Sequence, residues 1–551
     1  MQAFECTLQP SLHREWRRRL KEFAEDDAFD TYRRNLHSKL LTPPLRLHPR
    51  FADGAGTGSC PVAAVLGIDP AYRTGVKMAL VEACTGEVLA TSVAYVHKTL
   101  ACGDPQHAGA VASAAAAAAS AELRKMLFAG LDKAHEAQGD SPTTLGVACA
   151  VGNGQASRET EAWLRREILA AGLGGRVGYC VVDEGGASIY SASMLAREEL
   201  PGLDVSMRGA VSIARRLLDP LAEYVKLEPK SLGVGLYQYD VGQDRLATEL
   251  QAAVSDCVSA VGVELNTASV ALLSHVAGLS DSLARAIVEH RAEHGPLVSR
   301  AALLEVAGVT AEAHQQAAGF LRVRDGVEPL DATPVHPESY EAARALQERC
   351  GPRAERFAEL GAGRGLAGFM GLGAAALEDL AAALAGIASD PRAAQPEVRL
   401  KVPGDTGADE RAVNEAIDAQ EAGLAITDLE PGMLLHGVVR NVVEYGAFVD
   451  VGVGHTGLLH TSEYPSSLKQ RREERAHAIR VNDQVDVWVH EVHWTGPAGG
   501  GFAGEAKGRG KARGKWRIAL SMVGPPTVAA PPLAPGDAVL HARPTAAAAG
   551  A

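Results

Sequence analysis

The chain reads as a multidomain protein with an α/β part, a helical part and a β part, and three observations carry that reading. Between residues 62 and 182, short apolar runs alternate with segments of helical spacing, in the order strand, strand, strand, helix, strand, helix, strand. From 206 to about 388 the chain reads mostly as helical, and after a loose stretch to about 405 it turns helical again up to about 428. Beyond 429 the period falls to two, with glycines at the turns, as in a small barrel.

A length of 551 residues accommodates about three to five domains, and 46% apolar residues suffice for ordinary cores. No run of about eighteen uncharged apolar residues occurs, so no membrane span is expected. A net charge of −13 argues against bulk electrostatic capture of nucleic acid, so any such binding has to be local. The eight cysteines are scattered without a C-x-x-C pair, which indicates neither a zinc site nor a disulfide framework and fits a reducing compartment. The first residues lack an apolar core of the secretory kind. A cytoplasmic protein is the expectation, although no segment encodes an address.

The expected divisions are a helical segment at 1–60, an α/β domain at 61–205, a helical region at 206–330, a helical linker at 331–428, a barrel at 429–523 and a disordered tail at 524–551. Residues 11–41 carry Trp16, Leu20, Phe23, Tyr32, Leu36 and Leu40 at helical spacing, and Pro43 and Pro44 stop the helix. In the α/β part, strands are expected at 62–68, 78–82, 88–95, 144–151 and 178–182. Helices are expected at 121–137, after an alanine-rich gap, and at 159–171.

Three strands followed by helix, strand, helix and strand is the layout of a ribonuclease H-like α/β fold. That fold hydrolyses phosphodiesters when carboxylates converge at strand ends, because two Mg²⁺ ions need shared oxygen ligands. Asp69 ends the first strand and Glu184 follows the last. A third acid would open a later helix, where this chain has Arg208 and Gly209; a guanidinium there would repel a second cation. Asp183, Asp204 and Asp219 remain alternatives. The run VGNGQASRE at 151–159 sets small residues at a helix start, which suits either an anion site or an ordinary capped turn.

Residues 266–290 read as helix, short apolar hairpin and helix, with Val276, Ala277, Gly278, Leu279 and Ser280 forming the hairpin. Such a hairpin offers backbone N–H groups to one phosphate without reading sequence. A second unit at 303–320 carries Thr310 and Glu312, and an acid there repels phosphate, so packing is its expected role.

In the barrel, strands at 434–439 and 447–451 set Tyr445, Phe448 and His460 on one outward face, with Arg440 nearby. Exposed rings let unstacked bases of any identity stack. The alternative is that Tyr445 and Phe448 fill the barrel. Later strands are expected at 484–492 and 516–521. The insertion between them, 495–515, is rich in glycine and carries Lys507, Arg509, Lys511, Arg513 and Lys515, which suits a phosphate-tracking arm or a solvated loop.

Gly437, the GAFV at 446–449, Gly457, Leu458 and the HTS at 460–462 resemble an S1 RNA-binding domain, a five-stranded barrel of the OB fold. That resemblance implies an RNA-contacting face of Tyr445, Phe448, His460 and Arg517, with His493 at a position that is often Asp. GIDP at 67–70 and VDE at 182–184 resemble the YqgF-like, Holliday-resolvase-like branch of the ribonuclease H-like fold. Five further runs extend the likeness: DPAYRTG at 69–75, VGNGQASRETE at 151–161, DEGGASIYSASM at 183–194, LDVSMRGAVSIARR at 203–216 and KSLGVGLYQYDV at 230–241. With them the chain resembles the Tex family of transcription accessory proteins from about residue 11 to 522, most of that family's N-terminal helical region being missing.

The resemblance implies a protein that binds single-stranded RNA and possibly DNA through the barrel and the helix-hairpin-helix. The ribonuclease H-like domain would be a non-catalytic scaffold, and transcription or ribosome-associated machinery would be the partner. No cofactor is implied and no oligomeric state is readable. Two other readings compete: a Mg²⁺-dependent nuclease or resolvase using Asp69 and Glu184, and a pure interaction scaffold whose barrel is silent.

Overall fold

A computed structural model describes residues 9–45, 62–96, 105–138, 145–154, 156–235, 237–324, 326–350, 374–384, 390–394, 400–403, 426, 429–443, 445–453, 455–465, 479, 484–494 and 516–524. The basic insertion at 495–515 and the tail beyond 524 lie outside them, as does most of 404–428.

Helix α1 (Gln9–Leu40) has two unlike halves. Phe29, Tyr32, Leu36 and Leu40 are buried in the helical core, whereas Leu12, Trp16, Leu20 and Phe23, which share the spacing, are exposed. Periodicity marks the face that can bury, but only a facing element buries it.

The α/β domain is built on β1 (Ala64–Asp69), β2 (Val76–Glu82) and β3 (Val88–Ala94), followed by α2 (Pro105–Gln138), β4 (Val147–Gly152), α3 (Ser157–Ala170) and β5 (Val177–Val182). The sheet order is β3-β2-β1-β4-β5; the first three strands are antiparallel, while β4 and β5 run parallel to β1. Parallel strands covered on both faces read as continuous apolar runs, as β1 and β4 do. On one face Leu66 and Ile68 pack with Leu123, Leu127, Trp163 and Leu164 of α2 and α3. On the other, Val65 packs with Ala210, Val211 and Ala214. Helix α2 runs straight through the alanine-rich stretch expected as a gap, because alanine is the strongest helix former.

Short α4 (Ala187–Ala192) and α5 (Met194–Glu199) lead to α6 (Val205–Leu218), whose first turn is capped by the Asp204 carboxylate accepting from Ser206 N–H at 2.8 Å. Helix α6 lies on β1 and β2, so it belongs to the sheet and not to the helical region expected from 206.

Next come α7 (Pro220–Tyr224), α8 (Gln243–Val261), β6 (Val263–Glu264), α9 (Val270–Leu273), α10 (Asp281–His294), α11 (Ala311–Ala318) and β7 (Leu321–Arg322), which share a core with the second half of α1. Strands β6 and β7 pair in parallel and close this body. Buried Arg300 ties it to the next segment by donating to the carbonyls of Leu321, Thr333 and Val335. Helices α12 (Tyr340–Cys350) and α13 (Ala374–Leu384) form a small further cluster.

Strands β8 (Leu434–Val443), β9 (Gly446–Asp450), β10 (Thr456–His460), β11 (Gln484–Trp494) and β12 (Trp516–Ser521) close into a barrel of order β10-β12-β11-β8-β9, an OB-type arrangement. Its interior holds Val439, Ala447, Val449, Leu459, Val487, Val489, Ile518 and Leu520.

Candidate nucleic-acid interface and the carboxylate pair

Aliphatic side chains fill the inward strand positions, with Tyr464 from the segment after β10 beside them, so the alternate residues of β9 and β10 point outward. Phe448 lies directly across from Leu458, and Leu458 across from Ala519, giving a partly covered apolar strip that crosses three strands. Tyr445, in the β8–β9 turn, is 52% exposed. The rings are therefore outside the barrel, not filling it. His460 is exposed at the end of β10, and its Nδ1 accepts from Ser462 N–H at 3.2 Å, which anchors the ring through that nitrogen. Arg517 and His493 are exposed register partners on β12 and β11, and His493 Nε2 lies 2.5 Å from the Glu491 carboxylate.

Arg440 departs from this face. Its guanidinium pairs with Asp450 at 3.0 Å and donates to the Asn153 carbonyl at 3.0 Å, so it belongs to a junction between barrel and α/β domain. Arg158 completes that junction by donating to Val451 O at 3.1 Å, and a side chain at Gly452 would overlap Arg158. Neither role was legible in the sequence, because each needs a partner some 290 residues away.

In the helix-hairpin-helix, Val276 and Leu279 are buried anchors, while Ala277 and Ser280 are exposed. Gly278, at φ 82°, sits against α11, where any side chain would press on Ala313 O. Ser280 caps α10, accepting from Leu283 N–H at 3.4 Å. Asp281 opens the same helix with a negative charge, which opposes a phosphate at that end. Thr310 in the second unit likewise caps α11.

The charges of Asp69 and Glu184 act on one another. Burial pushes both carboxyls up; Lys77, 3.5 Å from Asp69, partly offsets the effect there, and the charge of Asp69 adds to it at Glu184. The place of a third acid is taken by Gly209, where a Cβ would lie 3.3 Å from Asp69 Oδ2. Arg208, expected as a cation-repelling neighbour, is instead turned away and donates to the carbonyls of Leu203 and Ser191. Asp204 is spent as a cap and Asp219 pairs with buried Arg392. Asp183 is sealed by Lys39 at 2.7 Å; burial alone would raise its carboxyl, but Lys39 and Arg216 bring it below its usual range.

The 151–159 loop has an anion of its own: Gly154 N–H donates to the Glu184 carboxylate, and a side chain at Gly154 would overlap that group. The Glu184 backbone N–H in turn donates to Asn153 Oδ1 at 3.1 Å. Among the described residues no group of three His, Cys, Asp or Glu side chains could hold a metal ion. Two carboxylates, one of them held by a backbone amide, do not fit a bridged metal pair.

Sheet, hairpin pair and barrel together define a multidomain protein with nucleic-acid-binding modules attached to a ribonuclease H-like domain. Family models match accordingly: the Tex protein YqgF-like domain at 63–123 and 143–218, the helix-hairpin-helix motif at 258–322, an HHH domain at 328–392 and the S1 RNA binding domain at 428–495. The match at 328–392 assigns part of the stretch expected as a plain helical linker. The chain is 40% identical to the transcriptional accessory protein Tex of Neisseria gonorrhoeae over 487 residues, 88% of this chain and 55% of that protein. It is also 40% identical to protein YhgF of Escherichia coli strain K12, over 86% of this chain and 53% of the relative. With the uncharacterized protein YdcI of Bacillus subtilis strain 168 it shares 38% identity, over 89% of this chain and 60% of the relative. The chain belongs to the Tex family and spans between about half and three fifths of the length of these relatives. No described helix is long and apolar enough to cross a membrane.

Proposed function

We propose that this chain binds single-stranded RNA on the outer face of its barrel and uses the ribonuclease H-like domain as a non-catalytic scaffold. The observation that carries the reading is that aliphatic side chains fill the inward strand positions of the barrel, which leaves Tyr445 and Phe448 outside. Rings held outward on a strand face take unstacked bases without regard to sequence. His460, His493 and Arg517 are exposed on the same barrel, where they offer hydrogen bonds and, at Arg517, a positive charge. The helix-hairpin-helix adds one backbone contact, weakened by Asp281. A role beside the transcription machinery is supported by the name of the Neisseria relative.

The test is a titration of the full chain with single-stranded RNA, single-stranded DNA and duplex DNA at two salt concentrations, with and without Mg²⁺. Single-stranded RNA is expected to bind most tightly. Tyr445→Ala with Phe448→Ala is expected to weaken it by about 1–3 kcal/mol per lost stack. Unchanged affinity in a folded double variant overturns the reading.

A further inference from the structure

The loop between α7 and α8 carries two of the most exposed large side chains of the protein. Tyr237 is 77% and Tyr239 is 78% exposed. Between them Gln238 is buried, its side-chain amide donating to the Lys230 carbonyl at 2.9 Å, while its own carbonyl accepts from Gln243 Nε2 at 2.9 Å. The backbone of Tyr237 is left-handed, at φ 60°, a conformation an aromatic residue adopts only when its surroundings impose it. Gly235, two residues earlier, lies flat against the buried ring of Tyr32 on α1, with no room for a side chain. Burial would normally follow from such anchoring. Here the anchoring does the opposite, and holds two phenol rings in water.

The loop is also tied to the barrel. The Asn35 side-chain amide donates at 2.9 Å both to the Val234 carbonyl, at the root of the loop, and to Asn441 Oδ1 on β8. Tyr237 follows Val234 by three residues, and Tyr445 follows Asn441 by four. At the reach of an extended chain, neither tyrosine backbone is more than about 20 Å from that shared amide. Two sets of exposed rings, one on the core and one on the barrel, thus flank a single hydrogen-bonded junction.

From this placement we propose that Tyr237 and Tyr239 form a second base-stacking platform, which takes the continuation of a single-stranded RNA held on the barrel. The proposal rests on the barrel reading above and adds a site that the barrel does not contain. A single strand suits the two rings better than a duplex, because only unstacked bases expose the faces that rings can cover. Exposed Asp240 beside the rings disfavours phosphate, so the contact is made through bases and adds no salt dependence.

The experiment uses the full chain and two single-stranded RNAs, one of about four nucleotides and one of about twenty, bracketing the site size of roughly 4–16 nucleotides of one OB-type barrel. Tyr237→Ala with Tyr239→Ala is expected to weaken the longer RNA by on the order of tenfold or more per lost stack, to leave the shorter one unchanged and to preserve the salt slope. Tyr→Phe at both positions is expected to keep wild-type affinity. Should the double alanine variant fail to fold, Tyr239→Ala alone is read in the same way, since it leaves the left-handed residue intact. Unchanged affinity for the longer RNA in a folded variant overturns the proposal, including where that variant loses a protein partner instead. Binding of neither RNA by the wild-type chain overturns the barrel reading, which separates the two failures.

Discussion

Replacing Lys39 by Met should destabilise the protein by about 3–5 kcal/mol at neutral pH, the usual cost of leaving one member of a buried ion pair alone. Lys39 and Asp183 are both almost completely buried, with Nζ 2.7 Å from the carboxylate. Lys39 also donates to the Leu232 carbonyl at 2.6 Å, so it joins α1, the end of β5 and the 229–232 turn at one point. Asp183 keeps weaker donors in the variant, Asn153 Nδ2 at 3.2 Å and Gly185 N–H at 3.3 Å. They do not neutralise it, and the charge of Arg216, which also lowers this carboxyl but less than Lys39 does, offsets only part of the loss.

The pH dependence gives the sharper test. In the parent the Asp183 carboxyl lies below its ordinary value of 3.8, so its contribution is fully present above that value and is lost as pH falls through the folded-state value. Without Lys39 the largest remaining influence is burial, which raises the carboxyl, so the variant carries a penalty at neutral pH that is relieved on acidification. The difference between variant and parent should therefore be greatest near neutrality and shrink toward pH 4. Pairing Lys39→Met with Asp183→Asn should recover most of the loss. Calorimetric unfolding of the three proteins at several pH values reads both effects, the first transition being followed because a multidomain chain does not unfold in one step. A loss below about 1 kcal/mol, or one that does not change with pH, would refute the assignment of Lys39 as the counter-charge.

Two glycines at the contact of β1 with α6 should respond oppositely to alanine, measured as shifts in unfolding midpoint. A methyl at Gly67 overlaps the Ala210 carbonyl and should cost about 3 kcal/mol or more. A methyl at Gly209 meets only the movable Asp69 carboxylate at 3.3 Å and should gain about 0.5–1 kcal/mol from helix propensity. Deleting residues 504–515 should flatten the dependence of log K on log salt by about 0.7 for each of the basic residues that engages an RNA phosphate; an unchanged slope makes the insertion a spacer. Labelled RNA, a four-way DNA junction and a nicked duplex should survive incubation in Mg²⁺ or Mn²⁺, and cleavage that disappears in Asp69→Asn would install the nuclease instead.

Periodicity and glycine placement carried the architecture because they are local: a period of two or of three to four follows from backbone geometry before any partner is chosen. The strands of the sheet, the outward Phe448 of the barrel and the hairpin around Gly278 were legible in this way. The apolar stripe of α1 shows the limit of that signal, since Trp16 and Leu36 obey the same spacing and only Leu36 meets a neighbour. The roles of charged residues depended on folding. Arg440 left the outer ring-bearing face of the barrel for Asn153, Arg208 turned from the carboxylates to two carbonyls, and Lys39 found Asp183 across 144 residues. A long flexible cation has no preferred partner in a linear chain, and burial decides which carbonyl or carboxylate it must satisfy. The same holds for Gly209 and Tyr237, whose significance lies in what stands opposite them and in a backbone angle, both set only when distant segments pack.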